Sequence, residues 1–305
     1  MNFTRLIDLL KRNGADLVTL FIIPILIALM PWKIGFRVLR KLARHEKSHK
    51  VHVDQSWQMA RLYLSDEVEA DWKWRFRTLR LIDRVDAWLA LLRPRSWWSK
   101  QIIQSGEFPE ADSPHVFLSY HWGGGSWIWS QLVRAGFPTH LISRRVEVAD
   151  LGAGRLALML AWVRLRGLRR LGGEEVIFLG GASGPVRQVL AAGHSVLGMQ
   201  DMPPKPWDPV LRRPLLKGEV AYPFGLARLA LEANVPVALL SFAFDMNTGK
   251  RSLNIITVPR GANLETIATR YIEHLDECLR EDSAFWQIWS LAPQMFVPIE
   301  PPKRT

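Results

Sequence analysis

The chain has 305 residues, 48% of them hydrophobic, and its mean hydropathy is near zero, a length that holds one large domain and a small one around a sizeable core. A formal charge of +11 and a pI of about 10.1 suit an anionic lipid surface or an acidic protein, whereas the lack of zinc-finger spacing and of an aromatic-basic RNA-reading pattern argues against nucleic acid. The single cysteine, Cys278, excludes an internal disulfide, fits a reducing compartment and reads as a small buried side chain.

Residues 17–30 (LVTLFIIPILIALM) carry no charge. As a helix this stretch covers about 21 Å at ~1.5 Å per residue, short of a bilayer core of ~30 Å, and Pro24 would kink it. It is read as a membrane anchor, embedded in one leaflet or tilted across with the help of Trp32. No small-residue cleavage site comes after it, which argues against a signal peptide. Instead come Lys33, Arg37, Arg40, Lys41, Arg44, Lys47 and Lys50, against one acid, Glu46. Such a cluster suits an anionic cytoplasmic leaflet at ~1 kcal/mol per basic residue, and keeps the downstream domain on the cytoplasmic side. The alternative is a buried helix followed by a solvated basic one. Residues 1–50 are therefore expected to be an anchor and basic juxtamembrane segment.

Residues 51–110 read as a helical, amphipathic region, punctuated by Pro94 and by 106–109. Trp32, Trp57, Trp72, Trp74, Trp88, Trp97 and Trp98 fall in this first third, and either a membrane interface or a core would use them. After Pro114 short apolar runs alternate with helical ones. Strands are predicted at 115–120, 140–143, 176–179, 196–199, 237–244 and 253–258. Helices are predicted at 126–135, 154–171, 186–192, 225–233 and 264–280. Alternation of this kind indicates an α/β domain, here 111–297. Residues 203–214 (PPKPWDPVLRRP) read as an irregular basic loop, and 298–305 as a tail. Arg155, Arg164, Arg166, Arg169 and Arg170 suggest a solvated face on one helix. The other face of that helix is either core or the wall of a groove. His194 reads as a turn residue and His274 as lying on a solvated helix flank, while His115 and His140 have no partner visible in sequence.

The stretch 118–132 (LSYHWGGGSWIWSQL) carries the most chemistry. A strand runs into His121, then three glycines and a helix-like segment. Ligands of α/β sheets sit beyond the carboxyl ends of the strands, and a histidine there is placed to act as a general base. The glycines let a substrate approach the backbone, and the helix start offers amides to an anion. A histidine that merely caps a turn is the plainer alternative.

His121-Trp122-Gly123-Gly124-Gly125-Ser126 resembles the motif of a histidine, four residues and an acid found in the bacterial lipid A (lauroyl/myristoyl) acyltransferases, which typically reads His-Phe-Gly-Asn-Trp-Glu. Ser126 stands where that family has its acid. Residues 139–145 (THLISRR) resemble the family's second block and point to Arg144. Residues 186–201 (VRQVLAAGHSVLGMQD) resemble its helix, strand and Asp-bearing turn and point to Asp201. Residues 217–240 resemble its "G…F..G.A.LA…GAPVVP" segment, and 286–296 its closing tryptophan-containing helix. The likeness spans most of 115–296.

The resemblance, within the lysophospholipid acyltransferase superfamily, implies a mixed sheet flanked by helices of the glycerolipid acyltransferase type. It implies an O-acyltransferase of lipid biosynthesis at the cytoplasmic face of the bacterial inner membrane, anchored by about residues 17–32. The acyl group would pass from acyl carrier protein or CoA to a hydroxyl of a lipid or glycolipid, without a further cofactor or a metal. His121 and Ser126 would be catalytic, and Gly123, Gly124, Arg144 and Asp201 substrate-binding. Ser126 supplies no negative charge, so three readings stay open. Another carboxylate, such as Asp201 or Asp150, supports His121; or His121 works with Ser126 alone; or the chain is inactive and binds lipid or carrier protein. A serine esterase is a further alternative, with 121–125 as an HGGG-like loop and Ser183 as nucleophile. Gly181-Ala182-Ser183-Gly184-Pro185 fails the G-x-S-x-G elbow at its last position.

Overall fold

The computed structural model describes residues 14, 16–45, 50–145, 155–172 and 174–297; Glu46, Lys47, Asp150 and the expected tail at 298–305 lie outside the described residues. A π-helical stretch, Val18–Ile22, runs into α1 (Ile23–Leu29), followed by α2 (Trp32–Ala43), α3 (Lys50–Ala60), α4 (Glu69–Leu92), α5 (Arg95–Lys100) and β1 (Ile102–Ser105). The α/β region holds β2 (Val116–Ser119), α6 (Trp129–Arg134), β3 (Thr139–Ser143), α7 (Arg155–Gly172), β4 (Val176–Phe178), α8 (Ser183–Ala191) and β5 (Ser195–Met199). It continues through β6 (Leu211–Leu215), β7 (Gly218–Tyr222), α9 (Gly225–Glu232), β8 (Val237–Phe244), β9 (Arg251–Thr257) and α10 (Leu264–Glu281).

Seven strands form one mixed sheet in the order β1-β9-β8-β2-β5-β3-β4, flanked by helices. β8, β2, β5, β3 and β4 run parallel, while β9 is antiparallel to β8 and β1 runs with β9. The unbroken apolar runs of β8 (VALLSFAF) and β2 (VFLS) suit the middle of a sheet covered on both faces, and every residue of both is buried. Parallel order brings the carboxyl ends of β2, β5, β3 and β4 to one edge, where His121 follows β2.

Two expectations are corrected. The loop at 203–214 is not irregular throughout: β6 begins at Leu211 and pairs with β7 as a separate two-stranded antiparallel sheet. Pro214 is tolerated because both strands of a two-stranded ribbon are edges, where every other amide position faces away from the partner and needs no ladder bond. Residues 51–110 are not wholly helical, since β1 adds an edge strand to the main sheet.

No helix among the described residues is long and apolar enough to cross a membrane. Val18–Leu29 covers only about 18 Å at ~1.5 Å per residue. Leu20, Phe21, Ile27 and Ala28 are buried, and α1 packs on α4. Arg93, beyond the end of α4, donates to the carbonyls of Ala28 (3.1 Å) and Met30 (2.7 Å), taking up acceptors left over at the end of α1. Leu17, Val18, Ile22, Leu26, Leu29 and Ile34 face outward and are exposed. The tryptophans of the first third are buried or half-buried, and Trp32, Trp97 and Trp98 enclose the guanidinium of Arg251, which is ion-paired with buried Asp86. Core filling accounts for them.

Candidate active site

His121 and Asp201 meet because of strand register. β2 and β5 are adjacent and parallel, with Ser119 opposite Met199. Each functional residue lies two positions beyond that pair, so the two come together past the sheet edge. His121 Nδ1 is 2.8 Å from Asp201 Oδ1, and the backbone amide of His121 donates to Asp201 Oδ2, also at 2.8 Å. Trp286 Nε1 donates to the same Oδ2 at 2.8 Å. Asp201 is fully buried, whereas the His121 side chain is 30% exposed. A carboxylate only accepts, so the hydrogen sits on His121 Nδ1 and Nε2 keeps its lone pair.

The turn after His121 holds this arrangement. Gly123 has φ +61°, and a Cβ there would lie 2.1 Å from the carbonyl oxygen of Phe242, so only glycine fits. Its amide donates to the carbonyl of Phe285 at 2.8 Å, and the amide of Gly124 to that of Phe242 at 2.7 Å. Both amides are thus spent on neighbouring segments, and neither glycine lines the adjacent cavity. Gly123 and Gly124, expected at the substrate, shape the turn in this arrangement.

Ser126 is also placed differently. Its Oγ accepts from Arg164 Nη2 at 2.8 Å, and Arg164 Nη1 is ion-paired with Asp83 on α4. The residue in the family's acid position therefore holds a cation, while Asp201, expected at the substrate, holds the histidine from behind. Arg170 bonds the carbonyls of Ala90 (2.7 Å) and Leu91 (2.6 Å) at the end of α4. Of the arginines read as a solvated face, Arg164 is half-buried at the site, Arg170 is exposed yet bonded to the end of α4, and Arg166 and Arg169 are exposed.

A cavity of about 580 Å³ opens beside His121, within the ~300–1,000 Å³ usual for small-ligand sites. Leu158, Ala161, Leu165 and Leu168 of α7 form one helical stripe along it, facing Leu141, Phe178 and Met199. Its polar groups are His121, Ser126, Ser143, Arg144, Arg145, Arg164 and Gln287. The apolar side of α7 is thus a groove wall. Arg145 stacks over Phe178 at 5.0 Å. Ser183 is exposed at the start of α8 and does not line the cavity.

Gln287 carried no signal in the sequence beyond lying within the 286–296 likeness. Its amide donates to the His121 carbonyl at 2.8 Å, its Nε2 to the Gly123 carbonyl at 2.5 Å, and its Oε1 accepts from Arg80 at 2.9 Å. With Trp286 on Asp201, the segment after α10 closes the site from the far end of the chain.

His274 is not on a solvated flank. It is buried, with Nδ1 3.1 Å from Tyr120 Oη and Nε2 3.2 Å from Ser241 Oγ. Burial pushes its pKa down to about 4, so the ring is neutral near pH 7. Burial also raises the phenols of Tyr120, Tyr222 and Tyr271 well above their usual range, with the Asp201 charge adding to it.

No family model matches the chain, and no curated protein matches it.

Proposed function

We propose that this protein is an O-acyltransferase with His121 as general base and Asp201 as the carboxylate that orients it. The observation that carries the reading is the His121–Asp201 pair at the carboxyl edge of a parallel sheet, opening on an apolar cavity rimmed by arginines. The likeness of residues 115–296 to the lipid A acyltransferases supports the same reading.

In this mechanism Nε2 of His121 takes the proton from an acceptor hydroxyl. The oxygen attacks the thioester carbonyl of an acyl carrier protein or acyl-CoA, and a tetrahedral intermediate forms. Collapse breaks the C–S bond, and the leaving thiolate recovers the proton from the imidazolium. Asp201 fixes the tautomer and stabilises the transient imidazolium. We assign the developing oxyanion to Arg164, which Ser126 and Asp83 hold on the cavity wall. The apolar stripe of α7 would take the acyl chain.

The missing motif acid was the ground for an inactive, binding-only protein, and Asp201 beside His121 removes that ground. The exposed apolar side of Val18–Leu29, with exposed Met159 and Trp162 on the adjoining α7, supports contact with a lipid surface near the cavity without a span. The basic residues of α2 and an acidic carrier protein are of complementary charge. These features support association with an anionic membrane surface, and the likeness to the lipid A acyltransferases is what points to the cytoplasmic face of the inner membrane.

The test is acyl transfer by purified protein from acyl carrier protein and CoA thioesters to lipid hydroxyl acceptors, read by mass spectrometry. His121→Ala should abolish transfer. Full activity in that variant would sink the proposal.

A further inference from the structure

The parallel order of β5, β3 and β4 also gathers their amino ends, at the edge of the sheet opposite His121. His140 lies at the start of β3, His194 directly precedes β5, and Glu174 lies just before β4. We propose that these three side chains form a binding site for a divalent transition-metal ion of the zinc class. Such a site stands independently of the acyltransferase reading.

His140 Nε2 is 3.1 Å from His194 Nδ1 and 3.8 Å from Glu174 Oε2. One ligand atom from each of the three lies within 4.8 Å of the others. A tetrahedral ion with bonds of ~2.0–2.1 Å needs ligand atoms ~3.3 Å apart. The two spacings from His140, 3.1 and 3.8 Å, bracket that value, and rotation of the Glu174 and His194 side chains would bring the third to it.

The second contact of His140 prepares the ring as a ligand. Its Nδ1 is 3.1 Å from the backbone carbonyl of Glu175. A carbonyl only accepts, so Nδ1 carries the hydrogen and Nε2 presents its lone pair to the other two groups. A ring nitrogen held by a backbone carbonyl behind a metal-facing nitrogen is the usual outer support of a histidine ligand. His194 Nδ1 then donates its hydrogen to His140 Nε2. An arriving ion takes both lone pairs, and that hydrogen moves through solvent to His194 Nε2. The change is one of tautomer, with no net proton released.

Two imidazoles and one carboxylate suit a borderline cation rather than calcium or magnesium, which take all-oxygen sets. The side chains of His140 and Glu174 are 13% and 36% exposed, which gives an ion a way in. Three protein ligands leave a fourth position for water. The ion would join the entry of three strands, including the three-residue edge strand β4. The opposite ends of β3 and β4 supply Ser143 and Phe178 to the cavity wall, so occupancy would brace that wall.

Protein stripped with a chelator and dialysed against zinc chloride should retain one zinc per chain by elemental analysis, and its melting temperature should rise. Cobalt(II) should give the visible absorption of a four-coordinate nitrogen and oxygen site. Glu174→Gln and His194→Gln should each weaken zinc binding by at least ~10-fold in calorimetric titration. The cobalt spectrum uses the unaltered chain, so a variant that fails to fold does not decide the outcome. A hexa-aqua cobalt spectrum would overturn the site. So would wild-type zinc affinity and stoichiometry in a folded H140Q/H194Q double variant.

Discussion

Asp201 accepts three hydrogen bonds, two of them from His121, and has no contact with solvent. Asp201→Asn keeps the shape of the side chain and removes the charge and the fixed tautomer. By analogy with hydrolase triads, kcat should fall by about four orders of magnitude, with the KM for the acyl donor little changed. Ser126→Ala, which only loosens Arg164, should lose far less. Steady-state kinetics on both variants would refute the assignment if the serine variant were the worse one.

His274 behaves differently because it is neutral and enclosed. In the unfolded chain it would titrate near 6.5, against about 4 in the folded one. Between those values the unfolded chain binds a proton that the folded chain refuses. This contribution is therefore complete above pH 6.5 and is lost as pH falls toward 4, about 3 kcal/mol in all. His52, also pushed down to about 4 by burial and by Arg80, acts in the same sense. Asp86 and Asp282, raised to about 6 and about 7 by burial, act in the opposite sense over part of that range. The clean measurement is a difference. His274→Gln should be less stable than wild type at pH 7, and urea unfolding should show the deficit narrowing or reversing toward pH 4.

At the level of elements, α7 decides the site because one face walls the cavity and the other lies on α4. Gly167 allows that approach: a Cβ there would lie 2.8 Å from the Ala90 Cβ and 3.2 Å from the Ala87 carbonyl oxygen. Gly167→Val should push the helices apart and destabilise the fold by about 1–3 kcal/mol in urea unfolding. Since α7 also carries Arg164, activity should drop with it. A valine variant as stable as wild type would mean that the two helices are not held as closely as this. The amphipathic pattern of α7 was readable from the sequence. The inward turn of Arg164 and the docking of Arg170 on the end of α4 were not, because an arginine's direction depends on what stands opposite it, here Asp83 and the carbonyls of Ala90 and Leu91.

For the whole molecule, the apolar start of the chain is half core and half surface. Leu26 and Leu29 are 52% and 59% exposed, and Lys33, Arg37, Lys41 and Arg44 are exposed on the next helix, α2, and at its end. The chain should sediment with vesicles rich in anionic phospholipid and much less with zwitterionic ones, and added salt should weaken binding by screening. Leu26→Glu with Leu29→Glu should release it without changing the circular dichroism. Unaltered sedimentation of that variant would rule out this face as the contact.

The α/β alternation, the central strands read at 115–120 and 237–244, and the position of His121 beyond a strand are legible in the sequence alone, because these depend on local hydrophobic pattern and strand polarity. The sequence also brought Asp201 into view, by likeness, as a residue past the next strand of the site. Which carboxylate faces His121 was decided only by tertiary structure. The pairing of Ser119 with Met199 sets two residues 80 positions apart at equal distances past the same sheet edge, and register between distant strands is not a local property. The same holds for Gln287, brought in from after α10, and for His140 beside His194. Their contacts come from chain topology, and no single stretch of the sequence contains them.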